Sequence, residues 1–276
     1  MTFMQSILSV VSGGIVGLSL GLLGGGGSIL AIPLLLYLVG LKNPHIVIGT
    51  TALAVSVNSY FNLIPHWRAD HVRWKPAIGF AIPGIAGAAV GAELGRRLHG
   101  STLLFLFAIL MLVIAASMVR RAMRPAPAKA MLKENPDHSA AAVEPHQRSA
   151  SPWLNVGISG FLVGALSGFF GIGGGFLIVP ALIFATDMPF IEAIGTSLFA
   201  VGTFGLTTAV SYSLAGLINW LAFAEYVAGG AAGGILGARI ATRLSRQRAT
   251  LNYLFSAVVL VVAVYMLYKN AVALHL

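Results

Sequence analysis

Two glycine clusters carry the chemistry this chain can do. Gly24, Gly25, Gly26 and Gly27 interrupt one apolar run, and Gly171, Gly173, Gly174 and Gly175 interrupt another. Glycine lacks a Cβ, so a helix can unwind there and a ligand can approach the backbone closely. A helix that restarts after such a break presents free N–H groups and the positive end of its dipole. Together these attract an anion without any charged side chain. The expected guest is a small anion. Tight helix packing is the bland alternative for any single glycine in a membrane segment.

Hydroxyls and one amide stand close to the clusters. Gly49-Thr50-Thr51 and Gly195-Thr196-Ser197 open two further apolar runs, and Ser28 follows the first cluster, with Ser19 and Ser167 near by. A helix N-terminus with neutral donors can hold the oxygens of an oxyanion. Ser and Thr also bond back to their own helix, which is the local reading of each. Candidate substrate-binding residues are therefore Gly24, Gly26, Gly27, Ser28, Thr50, Thr51, Asn58, Gly171, Gly173, Gly174, Gly175, Thr196 and Ser197. Asn58 is included because Asn58, Ser59 and Asn62 face Phe204, Gly205 and Thr208 in the matching run, a one-sided exchange of polar for apolar residues. Such amides also bridge helices in membranes.

Of the eight acidic residues, Glu225 is the candidate for proton coupling, because no basic residue lies within a helical turn of it and unpaired intramembrane acids mark proton relays. Glu93 has Arg96 and Arg97 three and four positions on, the spacing of an interfacial helix pair. Asp187 and Glu192 flank Pro189, where helix capping accounts for them. The seven histidines show neither HExxH nor another metal-ligand spacing, and cysteine is absent, so no metal or other cofactor is expected.

The elements that must position these residues are written twice. Gly24 and Pro33 recur as Gly171 and Pro180, 147 positions on, while Trp74, Gly84, Gly91 and Arg97 recur as Trp220, Gly230, Gly237 and Arg243, 146 positions on. Duplication that keeps glycines inside apolar segments points to interrupted membrane helices around a shared site. The composition agrees: 57% hydrophobic and 9% charged residues, with a mean hydropathy of +0.88, cannot cover a soluble domain, which needs roughly 25% charge. The expected fold is all-α and polytopic. It has five apolar segments per half, at 5–23, 28–41, 46–65, 76–95 and 102–119, then 154–170, 176–186, 190–214, 220–241 and 250–270. Residues 1–119 form the first membrane repeat, 120–152 a hydrophilic cytoplasmic linker and 153–276 the second repeat. Segments 28–41 and 176–186 are short for a full crossing, so they either span or re-enter. Gly79, Gly84, Gly87 and Gly91, with Gly229, Gly230, Gly233 and Gly237, mark a packing face. Trp67, Trp74, Trp153 and Trp220 sit at run edges, as interfacial anchors do.

Charge decides between inverted and parallel halves. Inversion gathers the bases of 68–75, the linker and 239–248 on one side, thirteen of the seventeen Lys and Arg. That suits the positive-inside rule, whereas parallel halves, which arise if the first two segments merge into one bent helix, split the charge far more evenly. The net charge of +9 belongs to this topology and to anionic lipid, not to nucleic acid.

The doubled glycine motifs, the prolines after them, the Gly-Thr-Thr/Ser repeats and the polar linker together resemble the TauE/SafE family of sulfite exporters, also called the toluene-sulfonate uptake permease superfamily. The resemblance covers nearly the whole chain. It implies a secondary carrier of the bacterial inner membrane that moves sulfite, organosulfonates or related small anions, and no enzyme. Gly25 and Ser28 in the first copy face Ile172 and Gly175 in the second, so the copies cannot present identical surfaces. A passive anion channel would use the same breaks. An intramembrane serine hydrolase, suggested by Gly157-Ile158-Ser159-Gly160, lacks a histidine base: the one histidine after it outside the linker is His275.

Overall fold

The structure is a computed structural model that describes residues 2–123, 152–243 and 248–273. Every regular element among them is helical. In chain order they are α1 (Phe3–Leu23), α2 (24–38), α3 (Pro44–Arg68), α4 (Trp74–Arg97), α5 (Gly100–Met123), α6 (Pro152–Phe170), α7 (Gly175–Thr186), α8 (Phe190–Leu214), α9 (Trp220–Arg243) and α10 (Arg248–Ala273). The ten segments expected from the sequence are all present. The expected linker lies outside the described residues apart from its edges, 120–123 and 152, which prolong α5 and open α6.

Segment length separates two kinds of element. Among the described residues five helices, α1, α3, α4, α6 and α8, are long and apolar enough to cross a membrane. By contrast α7 has 12 residues, about 18 Å of rise against a hydrocarbon core of roughly 30 Å. The irregular α2 is likewise short: it tightens to three-residue turns over Gly24–Leu30, makes one α-turn at Ala31–Pro33 and widens over Leu34–Leu38. The outward faces of the long helices are apolar, with Ile82, Val90, Leu162 and Val210 more than half exposed to the surroundings. That is the pattern of a lipid-facing surface.

The two halves are woven together. α1 packs on α9, and its counterpart α6 packs on α4, the counterpart of α9; α3 packs on α8, and α5 on α10. The first of these pairs repeats contact by contact. Gly13 lies on the backbone of Tyr226 and Gly17 on that of Gly230, while Gly160 lies on the backbone of Phe80 and Gly164 on that of Gly84. Residue numbers rise together along both members, so α1 and α9 run parallel, as do α6 and α4. Small residues let these backbones approach closely, which is how apolar helices gain packing when lipid is no worse a solvent than a neighbouring leucine. The packing face expected on α4 and α9 is the face so used.

Counterparts α3 and α8 cross in the opposite sense. Gly49 abuts Tyr212, Tyr60 abuts Gly202 and His66 abuts Gly195, so one helix ascends as the other descends. At their midpoint the Ser56 hydroxyl donates to the Gly202 carbonyl at 2.6 Å. Ser56 and Gly202 occupy the same repeat position 146 residues apart, so this bond joins a position to its own copy.

A methyl group on Gly91 would strike the Ala165 backbone, and one on Gly237 the Leu18 backbone. Gly91→Val and Gly237→Val should each destabilise the purified protein by at least ~1–3 kcal/mol. Gly157→Ala, whose Cβ would meet only Pro83 Cγ at 3.9 Å, should be tolerated. Thermal unfolding in detergent separates the two outcomes.

Candidate functional site

The second glycine cluster forms a true turn. Gly171, Gly173 and Gly174 take φ of +67°, +68° and +67°, left-handed conformations that carry little penalty only for glycine. The turn starts when the Gly171 N–H bonds the Ser167 carbonyl at 2.8 Å, and Gly174 then accepts the first bonds of α7 from Leu177 and Ile178. All of Gly171 to Gly175 is buried. The first amides of α7 therefore open inside the protein, where the helix itself offers them no acceptor. Beside them is Ser167, fully buried, whose hydroxyl has no protein partner; a Cβ on Gly174 would stand 3.1 Å from that oxygen.

Packing brings the two clusters together. The three-residue turns of Gly24–Leu30 lie against α7 and α8, and the Gly171–Gly174 turn touches Ile48 and Val55 of α3 and Val201 of α8. Gly27 lies on Ser19 and Leu20 of α1, and Ser28 is fully buried. The copies differ in form: the first tightens a continuous helical path, the second breaks it.

The Thr and Ser residues of the Gly-Thr-Thr/Ser repeats have hydrogen bonds of their own. Thr50 Oγ1 accepts from the Asn219 amide at 2.9 Å, and Thr196 Oγ1 from the Arg73 amide at 3.0 Å. Each ties α3 or α8 to the residue that leads into the fourth helix of the other half. Thr51 donates back to Val47 and Ile48, and Ser197 to Ile194. A hydroxyl that spends its proton on its own helix has none left for an oxyanion.

Asn58 is fully buried on α3, over Gly230 of α9, and neither its Oδ1 nor its Nδ2 has a protein partner. Asn62 lies over Gly234 and donates to the Asn58 carbonyl at 2.8 Å. Glu225 Oε2 is buried without a hydrogen-bond partner. Glu93 pairs with Arg96 and Arg97, as its spacing predicts. Glu192 stands in the first turn of α8, whose N-cap Pro189 receives no side-chain cap bond; instead of capping, it is gripped by Arg73 through Nε and Nη2, both at 2.7 Å, joining the halves. That bond first, and the carboxylate charge second, push the Arg73 guanidinium further above its ordinary value. Asp187 follows α7 in a left-handed conformation, at φ +54°.

Sequence reasoning missed Tyr226, a fully buried side chain whose hydroxyl also has no protein partner. Within one copy it is one more aromatic in an apolar run. Set beside its repeat mate, Phe80, it is a polar exchange of the same kind as Asn58 for Phe204.

A helical bundle with apolar outer faces, crossed halves and polar groups held in its interior defines a multi-pass membrane protein. The match to known proteins gives the particular family: residues 9–266 fit the model of "Sulfite exporter TauE/SafE", and the chain belongs to that family. A "Probable membrane transporter protein" of Xylella fastidiosa is 49% identical over 271 residues, covering 98% of each chain. "Probable membrane transporter protein YunE" of Bacillus subtilis is 29% identical over 97% of this chain and 99% of its own. "Probable membrane transporter protein MJ0441" of Methanocaldococcus jannaschii is 28% identical over 78% and 72%. No solved structure matches the chain.

The threonine bonds predict a stability effect. Thr196→Val and Thr50→Val should each cost about 1 kcal/mol, the usual worth of a lost cap acceptor. Thermal unfolding of the two variants checks it, and equal losses at the two positions would reflect their equivalent roles.

Proposed function

We propose that the protein is a secondary carrier of the bacterial inner membrane that moves sulfite, organosulfonates or similar small oxyanions between two inverted halves. The observation that carries this reading is the buried left-handed glycine turn at Gly171–Gly174, which aims the first amides of α7 beside the unpartnered Ser167 hydroxyl. Backbone N–H groups at a helix start favour an anion through both hydrogen bonds and dipole. Supporting it, the first glycine cluster packs on α7. Gly24, Gly26, Gly27 and Ser28 then supply one wall and Gly171, Gly173, Gly174 and Gly175 the other. Thr50, Thr51, Thr196 and Ser197 would act by holding α3 and α8 in place, since their hydroxyls bond to the protein.

Inversion is supported by the opposed courses of α3 and α8 and by the one-sided gathering of Lys and Arg. With 1–119 and 153–276 as repeats and 120–152 as a cytoplasmic linker, a rocking of one half against the other would expose the site alternately. The bacterial relatives, named probable membrane transporters, support a bacterial membrane carrier, and the family description supports sulfite as its substrate class. Glu225, unpaired in a helix whose counterpart carries Gly79 at that position, is the residue that would exchange a proton during the cycle.

Reconstituted protein should accumulate labelled sulfite or taurine against its gradient when a proton gradient is imposed, and lose that accumulation when the gradient is collapsed. Passive equilibration alone would identify a channel. Gly173→Val and Gly26→Val should abolish transport with membrane insertion intact; unchanged uptake in both removes the glycine segments from the mechanism. Glu225→Gln should abolish gradient-driven accumulation and keep substrate exchange.

A further inference from the structure

Comparing the two crossed interfaces position by position shows that one of them is polar and its mate is not. Where α6, α4 and α8 meet, the repeat positions hold Val156, Gly79, Phe80 and Phe204; where α1, α9 and α3 meet, the same positions hold Ser9, Glu225, Tyr226 and Asn58. On the apolar side the Phe80 and Phe204 rings stack with centroids 6.0 Å apart, and Gly79 faces Val156, its Cβ position 3.7 Å from Cγ1. On the polar side Asn58 covers Gly230, one helical turn after Tyr226 on the same face of α9, and the Tyr226 backbone rests on Gly13, one turn after Ser9 on α1.

None of these polar groups is spent within the protein. Ser9, Asn58 and Tyr226 are at most 0% exposed, yet the Ser9 hydroxyl, both amide atoms of Asn58 and the Tyr226 hydroxyl have no protein partner, not even one another. A buried hydroxyl or amide left in this condition costs stability. The mate interface closes the same space with two phenyl rings and a valine at no such cost. Three unpartnered polar residues, each on a different helix, each opposite an apolar residue in the other copy, are what a recognition site requires and a packing interface does not.

We infer that Ser9, Asn58 and Tyr226 form a one-sided recognition site for the oxyanion group of the substrate, with the Phe80–Phe204 stack its dry counterpart. The inference rests on the anion-carrier reading above and names the interface, α1 and α3 of the first half with α9 of the second, at which the headgroup is read. The chemistry is that of neutral donors: two hydroxyls and a carboxamide N–H present protons to sulfonate or sulfite oxygens without a permanent countercharge, so the bound anion can leave again. Asn58 stands three positions, less than one turn of α3, after the Val55 that touches Gly173.

Isothermal titration of the detergent-purified protein with sulfite, methanesulfonate and taurine, beside thermal unfolding of the ligand-free protein, tests it. Tyr226→Phe, which installs the residue of the other copy, should weaken binding of the best probe at least tenfold while the ligand-free melting temperature stays level or rises. Asn58→Leu should weaken binding likewise, and Phe80→Tyr should leave affinity unchanged. Wild-type affinity in both Tyr226→Phe and Asn58→Leu overturns the assignment alone, as does a lower ligand-free melting temperature in Tyr226→Phe, which would mark the hydroxyl as structural. Wild-type protein that binds none of the three probes overturns the anion reading itself and this site with it.

Discussion

Backbone lying directly on backbone is the constraint from which the rest of this structure follows. α1 against α9, and α6 against α4, approach so closely that a single methyl group would collide with main chain at several turns in succession. In hydrocarbon there is no hydrophobic drive to press helices together, so the closeness itself, with its dispersion contacts, has to hold them. Each half supplies one member of both pairs. The crossing of α3 with α8, the threonine ties and the Arg73–Glu192 bridge all span the same divide, so the halves share their interior contacts instead of forming two separate cores.

The shared interior also fixes where chemistry can occur. Two packed pairs leave α3 and α8 at the centre, and the short α2 and α7 are received against them. Among the described residues, regular helix gives way at the glycines of α2 and in the Gly171–Gly174 turn ahead of α7, the latter through three left-handed residues. Backbone groups can be turned inward there because protein, not lipid, surrounds them, the condition under which irregular main chain is tolerated at membrane depth.

Much of this was legible in the residues. Hydropathy and the 146- and 147-residue repeat marked ten segments, two of them short for a full crossing, and glycine spacing marked the packing face of α4 and α9. Glu93 with its two arginines was readable because an ion pair at three and four positions is local. What could not be read was partnership. Periodicity says which face of a helix is hidden but not behind which neighbour, so nothing in one repeat announces that α1 belongs with α9. The hydroxyls show the same limit: Thr51 and Ser197 bond within their own turns, as their type allows, while Thr50 and Thr196, one position earlier, reach the opposite half. Tyr226 was lost for a different reason. An aromatic in an apolar run looks like packing until its copy is laid beside it, and then Phe80 shows that the hydroxyl was optional.

The crosswise pairing bears on how such a chain is made. Synthesis delivers α1 first, yet its partner α9 begins at Trp220, with seven helices emerging between them. Throughout that interval the glycine face of α1 has no mate, and α4 waits likewise for α6. Insertion and assembly of this pair are thus separate events: α1 must enter the bilayer alone and can be locked in place only after α9 has followed it.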